Sequence, residues 1–129
     1  MPLTRIIFYQ DEPGKAPVVD WLKELRRTNR LAYAKCVARL RRLAAFGHEL
    51  RRPEADLLRD GIHELRAKKG RGNYRILYFF YGQNIAVLDH ALTKEGKIPD
   101  ADIERALRRK EVFERDPARH TYEEEVSDA

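Results

Sequence analysis

The chain has 129 residues, 43% of them hydrophobic and 36% charged, with a net charge of +5. That length holds one hydrophobic core rather than two, and the composition is that of a globular domain, not a disordered or fibrous chain. No stretch approaches the roughly 20 apolar residues of a membrane span, and the start MPLTRIIFYQ has no secretory h-region, so a cytoplasmic protein is expected. Residues 3–10, LTRIIFYQ, are β-branched and aromatic and predict a first strand, which DEPGK breaks with Pro13 and Gly14. From Ala16, Pro17 suits a first helical turn, and Val18, Trp21, Leu22 and Leu25 recur at helical spacing up to Thr28 and Asn29. A second helix is predicted from Arg30 to Phe46. Tyr33, Val37, Leu40 and Ala44 form its stripe, Gly47 its stop, and Arg39, Arg41 and Arg42 a solvated side.

Cys36, the only cysteine, falls in that helix as a buried small hydrophobe and leaves no partner for an intramolecular disulfide or thiolate cluster. His48, His63, His90 and His120 lack the spacing of a zinc site, so metal chemistry is not indicated. Residues 48–60, HELRRPEADLLRD, carry Pro53 and many charges and read as a connection with one helical turn. Three strands are predicted next, at 62–67, 73–81 and 84–92, joined by KKGRG and by Gly82-Gln83 into an antiparallel meander. Pro99 and Asp100 start a last helix in which Ile103, Ala106 and Leu107 share a face. The predicted order is β-α-α-β-β-β-α. This is an α+β domain over residues 1–116, with a four-stranded, mainly antiparallel sheet, a helical hairpin on one face and a C-terminal helix over part of the other. Residues 117–129 are expected to fray as an acidic tail.

Charge is uneven along the chain. Residues 111–129 carry a net −5 and residues 1–110 a net +10. So basic a core favours polyanions, nucleic acid being the common one; solubility is the other reading. The third predicted strand sets Arg75 on one face with Leu77, Phe79 and Tyr81, and hairpin pairing sets Arg66 beside it. Adjacent guanidiniums repel unless an anion or carboxylate lies between them, and guanidinium matches phosphate in a bidentate way. Two readings stay open here. The pair is a phosphate clamp, or Glu64, Asp89 or Glu95 neutralises it in an ion-pair network.

The phrases LRDGIHELR, NYRILYFF, IAVLDHALTKEGKIP and DIERAL, in this order, resemble the RelE/ParE toxin superfamily, in its phage-related HigB-like branch, over about residues 3–115. The resemblance implies a RelE-like fold and the toxin of a type II toxin–antitoxin pair. It further implies a cognate antitoxin partner that is usually a DNA-binding repressor, with a heterotetramer as one assembly. Superfamily members of the RelE and HigB kind are metal-independent ribonucleases that cut messenger RNA on the ribosome; ParE members poison gyrase. The branch resemblance favours the ribonuclease, with no cofactor. By resemblance Arg75 and Arg66 bind the phosphate and the transition state, and Lys94 positions it or transfers a proton. Lys68, Lys69, Arg71 and Lys97 would hold RNA backbone by salt-sensitive contacts.

The chain departs from the family pattern in two places. Leu92, Thr93 and Lys94 stand where many members read a phenylalanine and two lysines, and residues 100–110 contain no tyrosine. His90, whose unperturbed pKa lies near neutrality, is a candidate substitute for the missing acid or base. Strict alternation places it with Ala86 and Leu88, opposite Asp89. His63, which alternates with Leu65, is a weaker candidate of the same kind. Three functions follow: a messenger-RNA endoribonuclease, a gyrase-directed toxin without enzymatic activity, and a catalytically weak binding module held by its antitoxin. The tail TYEEEVSDA is either solubilising or a segment that folds back over the basic site.

Overall fold

The computed structural model describes residues 3–127. In chain order its elements are β1 (Arg5–Tyr9), α1 (Pro17–Thr28), α2 (Arg30–Phe46), a 3-10 turn (Gly47–Glu49), β2 (Ala55–Arg59), β3 (Ile62–Lys69), β4 (Gly72–Tyr81), β5 (Ile85–Thr93), α3 (Asp100–Arg115), α4 (Pro117–His120) and β6 (Thr121–Tyr122). Among the described residues the strands form one mixed six-stranded sheet in the order β2-β3-β4-β5-β1-β6. Strand β1 runs parallel to β5, and the other pairings are antiparallel.

Local chemistry sets the ends of the helical hairpin. Pro17 occupies the first turn of α1, and the Asn29 side chain accepts the Ala32 N–H at 3.1 Å to cap α2. Gly47 closes α2 at a φ of 52°, and a Cβ there would collide with the Thr4 hydroxyl.

The expected four-stranded sheet is corrected at both edges. Residues 55–59, expected as a connection, pair with β3 through a turn in which Asp60 (φ 50°) and Gly61 (φ 85°) both adopt positive φ. That is the conformation Asp-Gly hairpins favour. The sequence ADLLR hides this strand because it is short and charged; pairing covers what would be an open β3 edge. At the far edge Thr121–Tyr122, two residues of the segment expected to fray, pair with β1.

Both sheet faces are covered. Phe8, Tyr74, Ile76, Tyr78 and Leu88 pack under α1 and α2, while Ile7, Leu77, Phe79 and Val87 pack under Ile103, Ala106 and Phe113 of α3. No helix among the described residues is long and apolar enough to cross a membrane.

Candidate functional site

Strand β4 lies inside the sheet, and its alternation sends Asn73, Arg75 and Leu77 to the α3 face. Cross-strand register extends these positions into rows. Glu64, Leu77 and His90 form the first, and Arg66, Arg75 and Leu92 the second. Lys68 opposes Asn73, whose carbonyl accepts the Lys94 N–H at 3.0 Å, to make the third. Helix α3 touches His90 through Asp102 near its start and Tyr81 through Phe113 near its end. It therefore runs away from the second and third rows, which lie past its first turn.

A bulge puts His90 on this face. Leu77 opposes His90 but Tyr78 opposes Leu88, so Asp89 is an extra residue with no partner in the register. The expectation from strict alternation, His90 beside Ala86 and Leu88, is overturned. His90 is instead the diagonal neighbour of Arg75, a relation that sets Cα atoms about 7–8 Å apart in antiparallel pairs.

Glu64 stands between the two arginines. It is 1% exposed, accepts a short hydrogen bond from Arg66 Nε on Oε1, and holds Oε2 3.9 Å from Arg75 Nη1. Arg75 also donates to the Gly96 carbonyl. Asp56 lies 3.7 Å from Arg66 and accepts a hydrogen bond from Arg52 at 2.8 Å, which holds its carboxyl below the usual range. Of the three carboxylates expected as neutralisers, Glu64 takes the place. Even so, Arg52, Arg66 and Arg75 outnumber Asp56 and Glu64, and the set keeps a positive excess. A cleft of about 310 Å³ opens beside Arg66 and Arg75, lined also by Arg39, Lys68 and Asn73.

His90 Nε2 lies 3.0 Å from Asp102 Oδ1, which also accepts from Arg105 Nη2 at 2.8 Å. Burial, then the Arg105 charge, hold the imidazole below its ordinary pKa, against the opposing pull of Asp102. The ring is then neutral at neutral pH. With its Nε2–H directed at Asp102, Nδ1 is the basic nitrogen. Asp89 is fully buried, and neither carboxylate oxygen has a hydrogen-bond partner. Arg109 of α3 donates to its backbone carbonyl at 3.2 Å, with Nη1 3.6 Å from Oδ1. Burial outweighs that cation and pushes the Asp89 carboxyl up to about 7. Reading the sequence missed Asp102, Arg105 and Arg109. The clue was Asp89-His90, a polar pair inside an apolar strand.

The remaining expected residues are exposed cations. Lys68, Lys69, Arg71, Lys94 and Lys97 have no ion pair among the described residues. Lys68 and Lys94 flank Asn73, Lys69 and Arg71 surround the β3–β4 turn, and Lys97 follows the glycine that binds Arg75. His63 lies on the opposite face, stacked on Tyr78 at 5.2 Å. Cys36 is buried, its thiol pushed up to about 12. Among the described residues no three His, Cys, Asp or Glu side chains gather so as to hold a metal ion.

A family model described as phage derived protein Gp49-like (DUF891) matches residues 20–111. The chain belongs to the Gp49-like family. This family is associated with the toxins of toxin–antitoxin systems. In the Gp49-like chain the matched span contains all three rows together with Asp102, Arg105 and Arg109, and leaves out β1 and the tail. No curated protein matches it in a sequence search.

Proposed function

We propose that this Gp49-like chain is the toxin of a type II toxin–antitoxin pair in the HigB-like branch of the RelE/ParE superfamily. In this reading it is a metal-independent, ribosome-dependent endoribonuclease that cuts messenger RNA and stops translation. The observation that carries the reading is the bulge at Asp89, which turns a neutral imidazole toward the face that holds Arg66 and Arg75. Cleavage through the 2′-hydroxyl needs a base, an acid for the departing 5′-oxygen, and cations around a phosphorane-like transition state. The scissile phosphate lies on the Arg66–Arg75 row. His90 Nδ1 takes the 2′-hydroxyl proton, the 2′-oxygen attacks phosphorus, and the P–O5′ bond breaks. Lys94, in the next row, protonates the leaving oxygen or positions the phosphate. Asp102 orients His90, as the carboxylate does in other His-based sites. Lys68, Lys69, Arg71 and Lys97 grip the flanking backbone. The partner is a cognate antitoxin, usually a DNA-binding repressor, in a heterotetramer.

Primer extension on messenger RNA after induced expression tests this, with Arg75→Ala as control. Cuts that vanish in the variant are the expected result. Intact messenger RNA with DNA-damage signalling would point instead to a gyrase-directed toxin. A third reading, a binding module without turnover, draws support from Glu64 and Asp102, which already occupy the arginines and the histidine. Intact RNA and no damage response would favour it.

A further inference from the structure

Residues 116–127 lie outside the family match and take no part in the basic rows, yet they are laid down in an orderly way, passing the β1 edge from the α3 face to the face covered by α1 and α2. Asp116 caps α4 by accepting the Arg119 N–H at 3.3 Å. His120 stacks on Tyr9 with ring centroids 5.6 Å apart, and Thr121–Tyr122 add an antiparallel strand to the edge of β1. Beyond that point the chain crosses a groove between β1, α1 and α2. Glu123 pairs with Arg5, Glu124 lies 3.6 Å from Lys23, and the Ser127 carbonyl accepts the Tyr33 hydroxyl at 2.8 Å. Val126 packs on the core of the hairpin face.

The fit is good along the polar rim and poor along the apolar floor. Two clefts, about 260 Å³ and about 230 Å³, remain beside Val126. Val19, Leu22 and Tyr33 line the first, and Phe8, Val37 and Leu40 the second. A sheet edge, an apolar floor and a basic rim are the parts of a groove that binds an extended peptide by strand addition, in which backbone hydrogen bonds supply affinity and pockets supply specificity. Valine underfills those pockets. Each methylene that a larger side chain buried there would tighten binding by about fourfold.

We propose that the groove between β1, α1 and α2 is a docking site for an extended acidic segment of a partner protein, with residues 121–127 holding it in cis. The segment that fits carries carboxylates where Glu123 and Glu124 sit and an aliphatic side chain larger than valine where Val126 sits. The tail holds the groove only through its high effective concentration, so a better-filling segment displaces it. The site stands whether or not the chain cuts RNA.

Fluorescence anisotropy with a labelled TYEEEVS peptide, the sequence of residues 121–127, tests the proposal on the full-length chain. In a Glu123→Lys/Glu124→Lys/Val126→Ser variant the groove is released, and the peptide should bind at least about tenfold more tightly than to the wild type. A Val126→Leu form of the peptide should bind more tightly still, and a peptide with both Glu123→Lys and Glu124→Lys should bind neither protein. Equal affinity for variant and wild type, or binding of the charge-reversed peptide, overturns the proposal. A measurement on the unmutated chain guards against a variant that fails to fold. Excess Val126→Leu peptide should speed hydrogen exchange at residues 121–127 while β1 stays protected. Unchanged exchange in the tail also overturns it.

Discussion

Replacing Asp89 by asparagine should make the fold less sensitive to pH, and the structure sets the size of the effect. The carboxyl is fully buried, lacks a hydrogen-bond partner, and has its nearest cation, Arg109 Nη1, at 3.6 Å. Its pKa rises from 3.8 to about 7. The folded chain therefore binds a proton that the unfolded chain releases, so stability is fully present below the unfolded value and is lost as pH rises through the folded one. Roughly three pKa units correspond to about 4 kcal/mol by neutral to alkaline pH, of which somewhat more than half is lost between about pH 5 and about pH 8. Asparagine keeps the shape and cannot ionise. Urea unfolding of both proteins across this range should give curves that diverge by that amount, with Asp89→Asn the more stable at the alkaline end. His63 and His90 titrate in both proteins and largely cancel in the difference. Parallel curves would refute the reasoning, because they would mean that Arg109 or water solvates the carboxylate. In a domain of this size the effect is large against a total of about 5–15 kcal/mol.

Glu64→Gln should cost about 3 kcal/mol, the low end for breaking a buried ion pair, since Arg66 stays 37% exposed. Sulfate should restore part of that loss by standing between the guanidiniums, as thermal melts with and without the anion would reveal; a melt insensitive to sulfate would speak against an anion site. If His90 is the base, cleavage should rise with pH through a midpoint below 6.5 and then level off. His90→Gln should then lower the rate by about 100-fold or more, with a smaller loss for Asp102→Asn, both read from single-turnover cleavage. Lys68→Ala, Lys69→Ala and Arg71→Ala should each lower the salt slope of single-stranded RNA binding by about 0.7. An unchanged slope in a salt titration would remove that residue from the interface.

Much of the scaffold was decided locally. Pro17, Asn29 and Gly47 bound α1 and α2 through their own backbone and capping chemistry, and apolar alternation with glycine turns marked β3, β4 and β5. The juxtaposition of Arg66 and Arg75 followed from the hairpin register, since side chains on paired strands have nowhere else to go. Tertiary structure decided the rest. Strands β2 and β6 exist because open sheet edges capture short segments whose composition does not announce a strand. Glu64, rather than Asp89 or Glu95, came to lie between the arginines because only its row brings a carboxylate beside both. The side of the sheet that His90 faces turned on one inserted residue. Alternation has a period of two, so the extra Asp89 inverts everything after it, and a sequence pattern cannot say where a partner strand will skip.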